Sequence, residues 1–181
     1  MNKIFYFGSA FTALILMGAG CFGGGTTSSN GGVWQSADAG KNWIQTSALP
    51  TAEGVGSFSS VDVTALAVDP QDSSAIYAGT VDNGVMYSLD SGISWQRPEN
   101  ELARNGHVVD VAVSTKDVCT YFVARTDRII KTNDCGRTFD TGLYTETRSQ
   151  TTITAMSLDW YDPKIIWIGT SSGDVINSVN G

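Results

Sequence analysis

"VTALAVDPQDSSAIYAGTVDNGVMYSLD", residues 63–90, lies without a gap over "ITAMSLDWYDPKIIWIGTSSGDVINSVN", residues 153–180, at an offset of 90 (153 − 63). Between them "VVDVAVSTKDVCTYFVARTDRIIKTND", residues 108–134, repeats the pattern in slightly shorter form and without the Ala-Gly-Thr step. Three agreeing copies define an internal repeat of roughly 45 residues, a period that signals an array of one supersecondary unit.

Each copy reads as strands. "VTALAV" alternates, "AIYAGT" and "IIWIGT" are short apolar runs, "VMYS" and "SWQR" flank a turn, and Asp, Gly, Pro and Ser separate them. Nothing after residue 21 has the pattern of a long amphipathic helix. Four short antiparallel strands per period are the arithmetic of a propeller blade, so the expected fold class is all-β. The chain should hold about three to four such blades, a fragment of a propeller of about six to eight.

A box ends each copy: "SADAGKNW" (36–43), "SLDSGISW" (88–95) and "TNDCGRTF" (132–139), with a fourth beginning at Ser178 and Asn180. Asp38, Asp90 and Asp134 stand 52 (90 − 38) and 44 (134 − 90) residues apart. Together with Ser36, Ser88 and Thr132 they belong to turns between two strands, where a carboxylate can accept hydrogen bonds from otherwise unpaired amides. Gly40, Gly92 and Gly136 are expected at positive φ, and Trp43, Trp95 and Phe139 are expected to fold back between sheets. Three equivalent aspartates spread around a rim cannot converge on one substrate, so they read as architecture and no catalytic residue is assigned. Neither "DAGKN" nor "DSGIS" supplies the ordered oxygen ligands of a calcium cage, so no metal or other cofactor is assigned.

The pattern S/T-x-D-x-G-x-[ST]-[WF] resembles the Asp box, or bacterial neuraminidase repeat, of sialidases, xyloglucanase-type glycoside hydrolases, sortilin-type receptors and the photosystem II stability and assembly factor family. The longer pattern "ALAVDP…IYAGT…GVMYSLDSGISW" most resembles the propellers of the assembly factor family and of xyloglucanases. The resemblance covers essentially residues 33–181 and implies a β-propeller. It leaves activity open, because enzymes and non-enzymes carry the same repeat.

Length and charge narrow the function. The chain has 181 residues, room for one domain, and 41% hydrophobic residues, enough for a core. A net charge of −7 with only 11 Lys+Arg and no basic cluster excludes a nucleic-acid partner, which needs a cationic footprint.

At the N-terminus, Lys3 precedes an almost wholly apolar stretch from Ile4 to Met17, too short for a stable membrane span. The following "GAGC" resembles the lipobox of bacterial lipoproteins, although Gly18 stands where that family usually carries an aliphatic residue. The resemblance implies a signal peptide over 1–20 and lipidation at Cys21. A Gly/Ser tether over 21–32 and blades over 33–181, truncated inside the fourth box, complete the expected organisation. Such a protein is exported and attached through its lipid to the bacterial envelope, or is extracellular. Cys119 and Cys135 would then meet an oxidising compartment. A hairpin turn centred at Thr126 and Asp127 puts residue 119 opposite 134, which leaves open either a disulfide to Cys135 or two free thiols.

With strands lettered A to D in each blade, the D-to-A connections (48–60, 97–107, 141–151) and the B-to-C turns (81–83, 125–128, 171–173) share one face. There "RPENELARNGH" carries Arg97, Glu99, Glu101, Arg104 and His107, and the next turn carries Arg125, Asp127 and Arg128. This mixed-charge group is the candidate ligand-face loop, its alternative being a solvated loop. Trp160 and Tyr161 in "DWYDP" fall on the opposite face and are expected to pack under their turn rather than form a sugar-stacking platform. His107 has no nucleophile beside it, and no sialidase-type arginine triad can be assigned. The expected function is a non-catalytic, surface-attached propeller lipoprotein that binds a protein or glycan partner. The alternative is the N-terminal part of a secreted glycoside hydrolase of xyloglucanase or sialidase type.

Overall fold

The structure, a computed structural model, describes residues 31–181. The expected signal peptide, Cys21 and nearly all of the expected tether lie outside these residues.

The described chain begins with two hairpins. β1 (Trp34–Gln35) pairs with β2 (Ile44–Gln45) across the first box, and β3 (Ala48–Thr51) pairs with β4 (Gly54–Ser57). β5 (Val63–Val68), β6 (Ile76–Thr80) and β7 (Val85–Ser88) then form an antiparallel sheet. After a single helical turn, α1 (Glu101–Arg104), comes the longest sheet. Its strands are β8 (Val108–Val113), β9 (Tyr121–Arg125), β10 (Arg128–Thr132) and β11 (Asp140–Thr145), hydrogen-bonded in that order. β12 (Ile153–Leu158), β13 (Ile166–Thr170) and β14 (Val175–Ser178) form the last sheet.

The repeat is visible in the register. Val63 pairs with Thr80 and Ile76 with Ser88, while 90 residues later Ile153 pairs with Thr170 and Ile166 with Ser178. The first strand of all three copies carries a bulge at the same place, around Thr64, Val109 and Thr154. A bulge bends and twists a strand locally, so each sheet leaves its inner edge at the same angle. β5, β8 and β12 lie next to one another, which makes the sheets radiate from one line.

The core fills the spaces between sheets. Tyr77 and Val85 of one sheet meet Val108, Val111, Tyr121, Val123 and Ile130 of the next. On the far side of that second sheet, Phe122, Ala124 and Ile129 meet Ile153, Met156, Ile166 and Ile168. Strands buried on both faces need apolar side chains at consecutive positions, which is why "YFVA" reads as an unbroken run and Ile129 and Ile130 stand together. A third cluster, with Phe58, Ala78, Met86 and Trp95, joins the N-terminal hairpins to β5–β7.

Three expectations need correction. The segment 48–60 is no simple connection, because "ALPTAEGVGS" turns back on itself and Thr51 donates its hydroxyl to the Gly54 carbonyl at 2.9 Å. The expected connection 141–151 is half strand, since β11 runs on to Thr145. "SWQR", expected as a full strand, contributes two isolated bridges, Ser94 to Ala48 and Gln96 to Tyr87. Pro98 has no amide to donate and restricts Arg97, so pairing stops there.

Candidate functional site

The three complete boxes have one hydrogen-bond plan. The hydroxyl of Ser36, Ser88 or Thr132 donates to the aspartate Oδ1 two residues on, at 2.9, 2.7 and 2.8 Å. It also accepts the amide of Gly40, Gly92 or Gly136 at 2.8, 2.8 and 2.9 Å. The same Oδ1 accepts the amide of Asn42, Ser94 or Thr138, and Oδ2 accepts the side chain of that residue. Each carboxylate is thus fully occupied in closing its own turn. These donors stabilise the charged form: the Asn42 amide and side chain hold Asp38 at about 2, and the Thr138 hydroxyl and amide hold Asp134 at about 2. Asp90 is lowered for the same reason, chiefly by the Ser94 hydroxyl. In the incomplete fourth box, Ser178 donates to Asn180 Oδ1 at 2.9 Å.

One feature of the turn escapes sequence reading. The glycines sit at φ of 85°, 85° and 87°, and the preceding Ala39, Ser91 and Cys135 are also left-handed, at 58°, 60° and 60°. Two successive positive φ values match the twist of the flanking strands, at some steric cost for the residue that has a Cβ. Cys135 is held there while disulfide-bonded to Cys119, with a Cα–Cα distance of 4.2 Å, and its amide donates to the Cys119 carbonyl at 3.0 Å.

The aromatic residue of the box behaves differently in each copy. Trp95 is 0% exposed, and its indole N–H donates to the Thr46 carbonyl at 2.6 Å across the seam to the N-terminal hairpins. Trp43 is 58% exposed, contrary to expectation, and its N–H turns to the Gly40 carbonyl of its own box. No described sheet stands on its other side to cover it. Phe139 lies between these extremes, half-buried, edge-on to Tyr121.

The candidate ligand-face residues do come together, but mostly to brace one another. Arg97 donates to the Arg104 carbonyl at 2.8 Å and Arg125 to the Leu102 carbonyl at 3.1 Å. Arg128 pairs with its neighbour Asp127 at 2.6 Å. Gly84 and Gly106 exchange contacts between the turn at 81–84 and the end of the loop, with the Gly106 amide on the Asp82 carbonyl. His107 and Glu99 are exposed. Arg148, which the sequence did not single out, bridges Glu146 and Asp174 on the same face. Trp160 and Tyr161 are exposed, contrary to expectation. The Asp159 carboxylate takes the amides of Tyr161 and Asp162 and closes that turn without an aromatic beneath it.

A groove of about 560 Å³ opens elsewhere, at the seam between β5–β7 and β8–β11. Tyr77, Tyr87, Leu89, Pro98 and Glu99 line it from one side, and Cys135, Gly136 and Arg137 from the other. At the preceding seam the indole of Trp95 fills the gap and ties it shut; at this one Phe139 is smaller and has no N–H to send across. Beneath the groove wall the Tyr121 hydroxyl is buried against Gly136 and has no hydrogen-bond partner among the described residues. Burial raises its pKa, and raises that of Tyr77, whose ring lies tilted against it at 4.5 Å, to about 12. Glu99 and Arg137 face the groove from opposite sides, and neither is in an ion pair among the described residues. Of the candidate ligand-face residues taken from the sequence only Glu99 lines it, together with Cys135 and Gly136 of the third box.

No protein-family model matches the sequence, and no curated protein matches it. Solved structures do resemble the fold. An ancestral GH74 enzyme superposes with a TM-score of 0.65 at 19% identity, over 84% of this chain and 20% of that one. The GH74 xyloglucanase of Xanthomonas campestris gives 0.60 at 14%, over 84% and 26%. YCF48 gives 0.53 twice: from Cyanidioschyzon merolae at 15%, over 67% and 35%, and in a complex with D1 peptide at 13%, over 84% and 60%. The chain therefore spans about a fifth to a quarter of the length of the GH74 enzymes it matches. The sheets are successive blades of a β-propeller, and the chain corresponds to part of one.

Proposed function

We propose that this chain is a non-catalytic propeller module, lipid-anchored at Cys21 to a bacterial cell envelope, whose seam groove binds an extended segment of a protein partner. The groove carries the reading. Aromatic and aliphatic walls with a few polar groups of fixed position are the usual composition of a binding cleft. Glu99 and Arg137, unpaired and opposed, supply orientation to a segment bearing both charges. The box aspartates support a binding role over a hydrolytic one, since each is already spent on its turn. The likeness to YCF48, one structure of which holds a D1 peptide, supports a peptide as occupant.

A peptide library displayed on phage and selected against the full chain tests this. Selected peptides should lose at least roughly tenfold in affinity on Leu89→Arg or Arg137→Glu. Binding indifferent to both substitutions overturns the groove as the site, and selection of glycans alone from an array overturns the protein partner. For anchoring, palmitate label should be lost in Cys21→Ser; label that persists refutes lipidation there.

A second reading has one observation in its favour, the overlap of 84% of the chain with GH74 enzymes. In that reading the chain is part of a glycoside hydrolase, and release of reducing ends from xyloglucan by the protein would establish it.

A further inference from the structure

The third box carries a covalent link that the second does without. Cys135 holds the position of Ser91, and its disulfide partner Cys119 holds the position of Ser74 in the preceding blade. The backbone makes the same bond in both places. The Ser91 amide donates to the Ser74 carbonyl at 2.9 Å, and the Cys135 amide to the Cys119 carbonyl at 3.0 Å. The blade of β5–β7 thus closes this contact with two serines alone.

The link is matched by a change in the backbone. Ala39, Ser91 and Cys135 are all left-handed, so that conformation belongs to the box. Cys119 is left-handed as well, at φ 65°, whereas its counterpart Ser74 stays out of that region. A residue with a Cβ adopts it at a steric cost. Opening the disulfide therefore leaves the backbone bond of the box in place and frees Cys119 to take the conformation of Ser74.

The two sulfurs are not equally placed. Cys135 is exposed and lines the seam groove beside Gly136 and Arg137, while Cys119 is half-buried and is not part of the groove wall. Among the charged groups around Cys135, Asp134 is spent on Thr132 and Thr138, and Glu99 stands on the opposite wall. Arg137, in no ion pair among the described residues, offers its charge to an entering anion. A groove of about 560 Å³ has room for a molecule the size of a tripeptide.

We infer that Cys119–Cys135 is a thiol–disulfide exchange site, opened by a small-molecule thiol that enters the seam groove and attacks Cys135. The thiolate sulfur bonds to Cys135 Sγ, the Sγ–Sγ bond breaks, and Cys119 leaves as a thiolate that takes a proton from water. A second thiol displaces the first from Cys135, so two thiols become one disulfide for each protein disulfide reduced. Disulfides that are exposed or strained are the ones that exchange, and this one is exposed on the Cys135 side and ties a left-handed Cys119.

Glutathione applied to the folded full-length protein tests the inference. Free thiols are blocked with N-ethylmaleimide and the tryptic peptides are weighed. Cys119 falls in "DVCTYFVAR" (117–125) and Cys135 in "TNDCGR" (132–137), so each is read separately and apart from Cys21. Glutathione should appear on Cys135 and maleimide on Cys119, with glutathione on Cys135 exceeding that on Cys119 at least roughly tenfold. Circular dichroism should show the strands intact after reduction. Arg137→Glu should slow the reaction at least about threefold, because glutathione is an anion. A disulfide that reacts only once urea has unfolded the chain overturns the inference, and so does loss of the fold on reduction. Glutathione shared equally, or found chiefly on Cys119, overturns Cys135 as the point of attack. A rate indifferent to Arg137→Glu overturns the groove as the route. None of these outcomes requires a peptide in the groove, so that reading stands or falls separately.

Discussion

Replacing Trp95 by alanine should be among the costliest single changes in this protein, and replacing Trp43 by alanine among the cheapest, although both are the aromatic of the same box. Truncating a fully buried large aromatic costs about 3–5 kcal/mol. Trp95 is fully buried against Phe58 at 5.5 Å between ring centroids, and its loss also strips the Thr46 carbonyl of its donor, about 1 kcal/mol more. The sum lies near the upper end of that range. For a domain of this size, about 2–4 °C of melting temperature goes with each kcal/mol, so a fall of roughly 8–20 °C is expected. Trp43, mostly in solvent, should cost below about 1 kcal/mol. Thermal melting followed by circular dichroism, with urea titration as an independent measure, compares the two. Equal losses at Trp43 and Trp95 would refute the claim that seam filling, and not the box itself, sets the energy of the aromatic.

Other expectations follow from the same geometry. Phe139→Trp should narrow the seam groove and weaken any peptide bound there while leaving melting unchanged or raised; titration calorimetry with a selected peptide reads it. Asp38 and Asp134 titrate near 2 in the folded protein and near 3.8 when free, and Asp90 is lowered too. The unfolded chain therefore takes up protons first on acidification, so stability should be full above about pH 4 and fall progressively toward pH 2, as urea midpoints at stepped pH would show. Gly84→Ala should cost about 1–3 kcal/mol, because Gly84 has φ 65° and an added Cβ would strike the Ala103 carbonyl of α1; a normal urea midpoint would refute that crowding. Reducing Cys119–Cys135, which closes a loop of 16 residues, should cost about 3 kcal/mol in a melt with and without dithiothreitol.

Local chemistry made the blade legible in the sequence. A box with a hydroxyl, an acid and a glycine at fixed offsets can close only one kind of turn, because each atom's partner lies within four residues. Apolar runs of strand length between such turns then dictate short antiparallel strands, and the 90-residue coincidence dictates that they recur. The hairpin at 48–57 was missed because Pro50 and the small residues around it carry little strand signal. Trp160 and Tyr161 stay exposed because Asp159 satisfies the turn by itself, a contact that the aromatic pair in "DWYDP" does not announce.

The seam between blades follows different physics. Whether a box aromatic is core or surface depends on what the neighbouring sheet brings against it, and Trp43 and Trp95 are indistinguishable until that neighbour is in place. The groove likewise exists only because Tyr77, Tyr87 and Leu89 on one side and Cys135, Gly136 and Arg137 on the other come from distant parts of the chain. By itself the sequence determined the repeating unit and the turns that pin it, through hydrogen bonds that reach only a few residues. Only the tertiary structure decided which faces those units bury and which they leave open, because packing between sheets is set by side chains that the chain brings together from dozens of residues apart.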